Sequence, residues 1–312
     1  MIGPMERALF LRALQPLGGL AQQDVPVLAE HARERTFRAG EALYRDGLRP
    51  RSFQIIVEGS VHARGGEYLD GADLGSRDSV AFLSILAARD EGINAVAKED
   101  VVALEFEDEV FYDILEDNFE IANTIIRQLA GATLRVRRQV PSGSYFAPDE
   151  GKLDVPDRPL NLVERILMLR RPGSPFMNAS LDAITQIART IRQVSYPAGH
   201  TIWKTGDRSD AAYIILSGTV ACTTQWGLSR FRAGPGYPLG NLERFSRDPR
   251  WYTAITETPC RCVVNETEAL LDVFEDNFDM TLGFLRAMAR RVISISEEAG
   301  SVARPVAAGS TT

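Results

Sequence analysis

The chain has 312 residues, 45% hydrophobic and 25% charged, and a formal net charge of −7 at pH 7. That length holds two domains with separate cores, and the acidic balance disfavours broad attraction to nucleic acid or anionic lipid. No apolar run approaches membrane-spanning length and no basic region followed by an apolar stretch opens the chain, so a cytoplasmic protein is expected.

Residues 5–14 carry apolar side chains at helical spacing ahead of Pro16, and residues 23–33 form a second predicted helix with Val27, Leu28 and His31 on neighbouring turns. The pattern then changes to short β-rich runs. Thr36-Phe37, Leu43-Tyr44, Phe53 to Val57 and Val61 are separated by Gly40, Gly47, Gly59 and Gly65-Gly66, and Ile93 to Ala97 and Val101 to Phe106 continue the series. A short helix is predicted over Asp108–Leu115. A longer one follows over Phe119–Arg138, its Arg135, Arg137 and Arg138 suited to the negative end of a helix dipole.

Residues 139–160 hold Pro141, Gly143, Pro148, Gly151, Pro156 and Pro159 among polar residues, the composition of a linker or strap. The order then starts again, with helices over Leu162–Arg170 and Leu181–Arg192, strands from Val194 to about Val264, and helices from Glu268 to Ser296. The tail from Ala299 to Thr312 is small and polar, with disorder as its expected state.

The two halves repeat at an offset of 159. Ala39-Gly40, Ile55-Ile56, Gly59 and Val61 match Ala198-Gly199, Ile214-Ile215, Gly218 and Val220, and Glu116-Asp117-Asn118-Phe119 recurs as Glu275-Asp276-Asn277-Phe278. Glu6-Arg7 recurs as Glu164-Arg165 at offset 158. The expected architecture is mainly β with flanking helices (α+β): two tandem β-roll or jelly-roll domains, each with N-terminal helices and a C-terminal helical hairpin. The expected boundaries are 1–138, a linker over 139–160, 161–298, and a tail over 299–312.

The run Phe37-x-Ala39-Gly40-Glu41-x-Leu43-Tyr44-x-x-Gly47 and then Phe53-x-Ile55-Ile56-x-x-Gly59-x-Val61 resembles the cyclic nucleotide-binding domain of catabolite activator proteins, protein kinase A regulatory subunits and cyclic nucleotide-gated channels. The second half carries it as Tyr196-Pro197-Ala198-Gly199-x-x-Ile202-Trp203-x-x-Gly206-Asp207 and Tyr213-Ile214-Ile215-x-x-Gly218-x-Val220. The resemblance implies a phosphate-binding cassette reading roughly Phe-Gly-Glu-Leu-Ala-Leu-Leu, then Pro-Arg-Ala-Ala. In it a short helix start and an Arg hold the cyclic phosphate, and a Glu accepts the ribose hydroxyl.

Both cassettes depart from that pattern. In the first, Ala81 stands for Gly, Phe82 for the ribose-binding Glu, and Glu91 for the phosphate Arg, or Gly92 if the register slips by one; a carboxylate there repels a phosphate. The second keeps more: Gly240-Asn241-Leu242 for Gly-Glu-Leu and Pro249-Arg250 for Pro-Arg, with Trp251 and Tyr252 where small residues are expected. Arg250 either clamps a phosphate or makes a structural salt bridge. Trp251 either stacks on a base or fills the core.

Cys222, Cys260 and Cys262 do not suggest a disulfide framework; Cys260 and Cys262 read as two small half-buried strand residues, and His31, His62 and His200 as scattered surface or packing residues, so no metal site is expected. Arg170-Arg171-Pro172-Gly173-Ser174 reads as the basic end of a helix rather than a kinase site. The stripe Leu282, Leu285, Ala289 and Val292 either packs on the protein's own barrels or makes a partner surface. Sixteen residues follow Ser296, too few for a helix-turn-helix domain, so DNA is not expected as a partner. The expected function is a non-enzymatic regulatory or scaffolding protein acting through a protein partner or self-association, without cofactor. The alternative is a second-messenger sensor that binds a cyclic nucleotide in the second domain.

Overall fold

The computed structural model describes residues 3–13, 25–45, 48–65, 68–139, 155–224 and 230–303. Gly47, Gly66, most of the expected linker and the tail beyond 303 lie outside the described residues. By compactness the chain divides into a first unit of Met1–Ile125 with Leu285–Glu297 and a second of Ile126–Phe284 with Glu298–Thr312. This division differs from boundaries drawn on the repeat alone: residues 126–139 of α5 fall in the second unit and residues 285–297 of α10 in the first.

The first repeat holds α1 (Pro4–Arg12), α2 (Val25–His31), β1 (Arg33–Phe37), β2 (Ala42–Tyr44), β3 (Ser52–Glu58), β4 (Val61–Gly65), β5 (Tyr68–Leu74), β6 (Ser79–Val80), α3 (Phe82–Ala87), β7 (Asn94–Ala97), β8 (Val101–Glu107), α4 (Asp108–Asp117) and α5 (Phe119–Gln139). Its strands form two four-stranded antiparallel sheets, ordered β1-β8-β3-β6 and β2-β7-β4-β5. The core between them is led by Phe53, Phe106 and Phe111, with the rings of Phe53 and Phe106 stacked at 5.0 Å.

The second repeat holds α6 (Leu162–Leu169), α7 (Leu181–Thr190), β9 (Arg192–Tyr196), β10 (Thr201–Trp203), β11 (Ala211–Ser217), β12 (Val220–Thr224), β13 (Arg230–Ala233), β14 (Pro238–Leu239), α8 (Asn241–Ser246), β15 (Tyr252–Thr256), β16 (Cys260–Glu266), α9 (Thr267–Asp276) and α10 (Phe278–Ala303). Its sheets, β9-β16-β11-β14 and β10-β15-β12-β13, reproduce those of the first repeat strand for strand. Register agrees as well. Ser52 pairs with Glu107 and Ala211 with Glu266, and each ladder slips once, between Ile56 and Glu58 and between Ile215 and Ser217. An aromatic cluster of Phe176, Phe245, Phe274 and Phe284 fills the helical side, with Phe274 and Phe284 at 5.0 Å.

The tight turn after β3 and β11 requires glycine. Gly59 and Gly218 both have φ of 88°, and a Cβ on either would stand 2.3 Å from a facing carbonyl, of Asp100 or Pro259. The N-terminal helices share a further device. Glu6 and Glu164 each accept the backbone N–H three residues back at 2.9 Å, while Arg7 reaches the Ala32 carbonyl and Arg165 that of Ile191, its equivalent.

Three expectations need correction. Arg192 begins β9 instead of ending α7, because Ile191 is already extended. Residues 299–303 continue α10 rather than joining the tail. Cys260 and Cys262 are buried, not half-buried, as is Cys222; burial pushes the Cys262 thiol up to about 12.

Candidate functional site

In the second unit, β14 leads into Gly240 at φ 71°, and α8 starts at the next residue. The left-handed turn is needed for room as well as direction. A Cβ on Gly240 would lie 1.8 Å from Nη1 of Arg250 and 3.2 Å from the Trp203 ring. Arg250 is itself held by its main chain: its N–H donates to the Asp207 carbonyl at 2.9 Å, and its carbonyl accepts from Gly206 at 2.8 Å. The Gly206-Asp207 turn of the sequence signature therefore fixes the base of this arginine.

The guanidinium is turned inward. Arg250 is 3% exposed; its Nη1 donates to the Gly240 carbonyl at 2.9 Å and its Nη2 to the Ala211 carbonyl at 2.5 Å. Its Cζ lies 4.1 Å from the centroid of the Trp203 ring. The acceptors of both bonds are main-chain carbonyls, and the guanidinium faces an aromatic ring. Burial lowers the guanidinium from its ordinary range, opposed first by Glu243. Among the described residues Nε has no hydrogen-bond partner.

The neighbouring aromatics close the same region. Tyr252 is buried, its hydroxyl accepting the Gly240 N–H at 3.2 Å, and burial raises that hydroxyl well above its ordinary value. Trp203 donates its Nε1–H to the Tyr252 carbonyl at 2.9 Å. Trp251 is half-buried, stacked on Phe231 at 6.3 Å and edge-on to Tyr252 at 5.2 Å. Leu242 is buried and Asn241 half-buried at the start of α8.

Glu243 is the residue that sequence reasoning passed over. It is 2% exposed, and its Oε1 has no hydrogen-bond partner among the described residues. Burial raises its carboxyl above the ordinary range against the pull of Arg250, Arg137 and Arg138. The signal was available: Glu243 occupies the place where the family cassette carries Ala, and a charge at a small-residue position marks an altered interior.

In the first unit the same geometry carries other chemistry. Ala81 takes the left-handed turn with φ of 72°, and Phe82 leaves the site to pack edge-on against Phe53 at 5.1 Å. Glu91, at the phosphate-Arg position, is ion-paired with Arg89, which holds its carboxyl below the ordinary range. Arg89 also reaches Glu297 at 3.0 Å. The cluster presents its own carboxylates where the family pattern places a phosphate.

A family model, Cyclic nucleotide-binding domain, matches residues 34–118 and 193–277, more than half of the chain and separated by the same 159 residues. Two curated relatives, both named CRP-like cAMP-activated global transcriptional regulator, from Mycobacterium tuberculosis strains CDC 1551 / Oshkosh and ATCC 25618 / H37Rv, are 31% identical over 129 residues. The match covers 40% of this chain and 57% of each relative, so the chain spans just over half the length of the relatives it matches. Among solved structures, the regulatory domain of Toxoplasma gondii PKA with cAMP is 15% identical, with a TM-score of 0.35 over 96% of this chain and 97% of that one. The regulatory subunit of a cAMP-independent protein kinase A from Trypanosoma brucei is also 15% identical, with a TM-score of 0.35 over 96% and 89%. On the twofold match to the family model, carried by two sheet pairs of one topology, the chain belongs to the cyclic nucleotide-binding domain family and contains two copies of the domain.

Proposed function

We propose that the protein is a non-enzymatic regulatory or scaffolding protein whose two domains act through contacts with a protein partner or another copy of the chain, without binding cAMP or cGMP. The observation that carries this reading is the inward arginine: both Nη groups of Arg250 are committed to main-chain carbonyls and its face to Trp203. Turning it to a phosphate would break two charge-assisted bonds in a buried place. In the first unit Glu91 supports the same reading, since a carboxylate there repels the ligand's charge. Contacts with protein are supported by apolar side chains left outside. Met5 and Leu9 on α1, and Val163 and Leu167 at the same places on α6, are each at least 60% exposed.

Titration calorimetry of the intact chain with cAMP, cGMP and cyclic dinucleotides tests the reading. No saturable heat is expected for cAMP or cGMP; micromolar binding of either overturns it. One observation favours the second reading, a sensor that binds in the second domain and relays to a partner: Arg250 Nε is without an acceptor among the described residues. A sensor loses nucleotide binding in Arg250→Ala while keeping its fold, whereas the leading reading expects that variant to lose stability instead.

A further inference from the structure

The pairing of Arg89 with Glu297 has a counterpart at the same repeat positions with its charges reversed. In the first unit, Arg89 lies just after α3 and meets Glu297 near the end of α10 at 3.0 Å. At the offset of 159, Arg89 corresponds to Asp248, just after α8, and Glu297 corresponds to Arg138, near the end of α5. Within the second unit, Arg138 meets Asp248 at 3.8 Å. The neighbouring contact is also repeated in place but not in kind. Arg290 donates to the Ala87 carbonyl at 2.8 Å, and at the matching positions a Cβ added to Gly131 would stand 3.9 Å from Ser246 Cβ.

We propose that these two oppositely poled ion pairs are a charge code that assigns each long helix end to its unit: the acidic end of α10 to the first cassette and the basic end of α5 to the second. The apolar faces do not discriminate by charge. Leu285, Ala289 and Val292 on α10, and Leu129, Ala130 and Leu134 on α5, are interchangeable in kind. The polar ends do. The opposite assignment would set Arg138 against Arg89 and Glu297 against Asp248, like charges in both places. Exposed ion pairs contribute little attraction, yet a like pair at the same spot adds repulsion where there was attraction, so the difference between assignments is larger than either pair alone. In the first unit the code does further work. Arg89 ties Glu91 to α10, and Arg290 caps the α3 carbonyl, so the cassette is held by side chains of the chain itself.

The inference goes beyond the proposed function, and its test contains no nucleotide, so it stands or falls separately. Hydrogen exchange of the full chain is measured by mass spectrometry for the parent, for Glu297→Arg, for Arg138→Asp, and for the swap Arg138→Asp with Asp248→Arg. Glu297→Arg is expected to speed exchange about tenfold in residues 82–88 and 285–297, and Arg138→Asp to do so in 126–138 and 241–247. The swap is expected to return the second set to the parent rate. Unchanged exchange in both single variants overturns the proposal. So does a swap that stays as fast as Arg138→Asp, since that is the behaviour of residues with a merely structural role.

Discussion

Trp203 and Arg250 form a stacked pair, guanidinium over indole at 4.1 Å, and the same two places in the first repeat hold Tyr44 and Glu91. The two repeats differ at both the platform and the cation. Tyr44 turns its hydroxyl to the Ser52 carbonyl at 2.9 Å, and Glu91 turns to Arg89. Either copy is internally consistent; mixing them would leave a buried charge without its partner.

Arg250→Ala is therefore expected to destabilise the second unit. It removes a desolvated cation–π contact and two charge-assisted hydrogen bonds, a loss of about 3 kcal/mol. All three tryptophans, Trp203, Trp226 and Trp251, lie in the second repeat, so their emission during urea unfolding reports on that unit. An unchanged urea midpoint would contradict the inward role of the arginine.

Gly240→Ala and Ala81→Gly are expected to differ although both residues adopt the same turn, φ 71° and 72°. At Gly240 the new methyl group meets Arg250 Nη1 at 1.8 Å, so the variant loses more than about 2 kcal/mol, again by tryptophan emission. At Ala81 the methyl group is already accommodated, because position 91 sends no guanidinium towards it. Relief of left-handed strain and the added chain entropy nearly cancel there, leaving stability within about 1 kcal/mol of the parent by calorimetry.

The fold was legible because its signals are local and doubled. Glycine turns, strand alternation and a constant offset of 159 each point to two copies of one barrel. Short or polar elements were not: β5 carries Gly71 and Asp73 in its middle, and α3 and α8 are six residues each. The cassette was legible only as a set of departures. That Arg250 is present could be read; that it bonds to Gly240 and Ala211 could not, because those partners are set by chain packing and not by spacing. Glu91 was legible as a lost arginine, whereas its link through Arg89 to Glu297 joins residues more than two hundred positions apart.

Restoring the family pattern in the first cassette is expected to fail. Phe82→Glu with Glu91→Arg supplies both missing ligand groups, yet Phe82 packs against Phe53 at 5.1 Å and Phe111 at 6.0 Å. Replacing it by a carboxylate removes about 2 kcal/mol of packing and puts a charge beside those two aromatic rings. Calorimetric titration with cAMP should show no binding, and the melting temperature should fall. Micromolar affinity in this variant would mean that the site is only two substitutions from function.

Glu243 contributes to the pH dependence of the second unit. Burial raises its folded-state pKa above the ordinary 4.5, so the folded chain holds that proton more tightly than the unfolded chain does. The resulting stabilisation is fully present below the ordinary value and is lost as pH rises through the raised one. Glu243→Gln keeps the shape and fixes the neutral form. The variant is therefore expected to match the parent at pH 4 and to exceed it at pH 8, with a flatter profile between, as measured by urea midpoints from tryptophan emission. A variant less stable than the parent at pH 8 would show instead that the carboxylate's attraction to Arg250, Arg137 and Arg138 outweighs the cost of burying its charge.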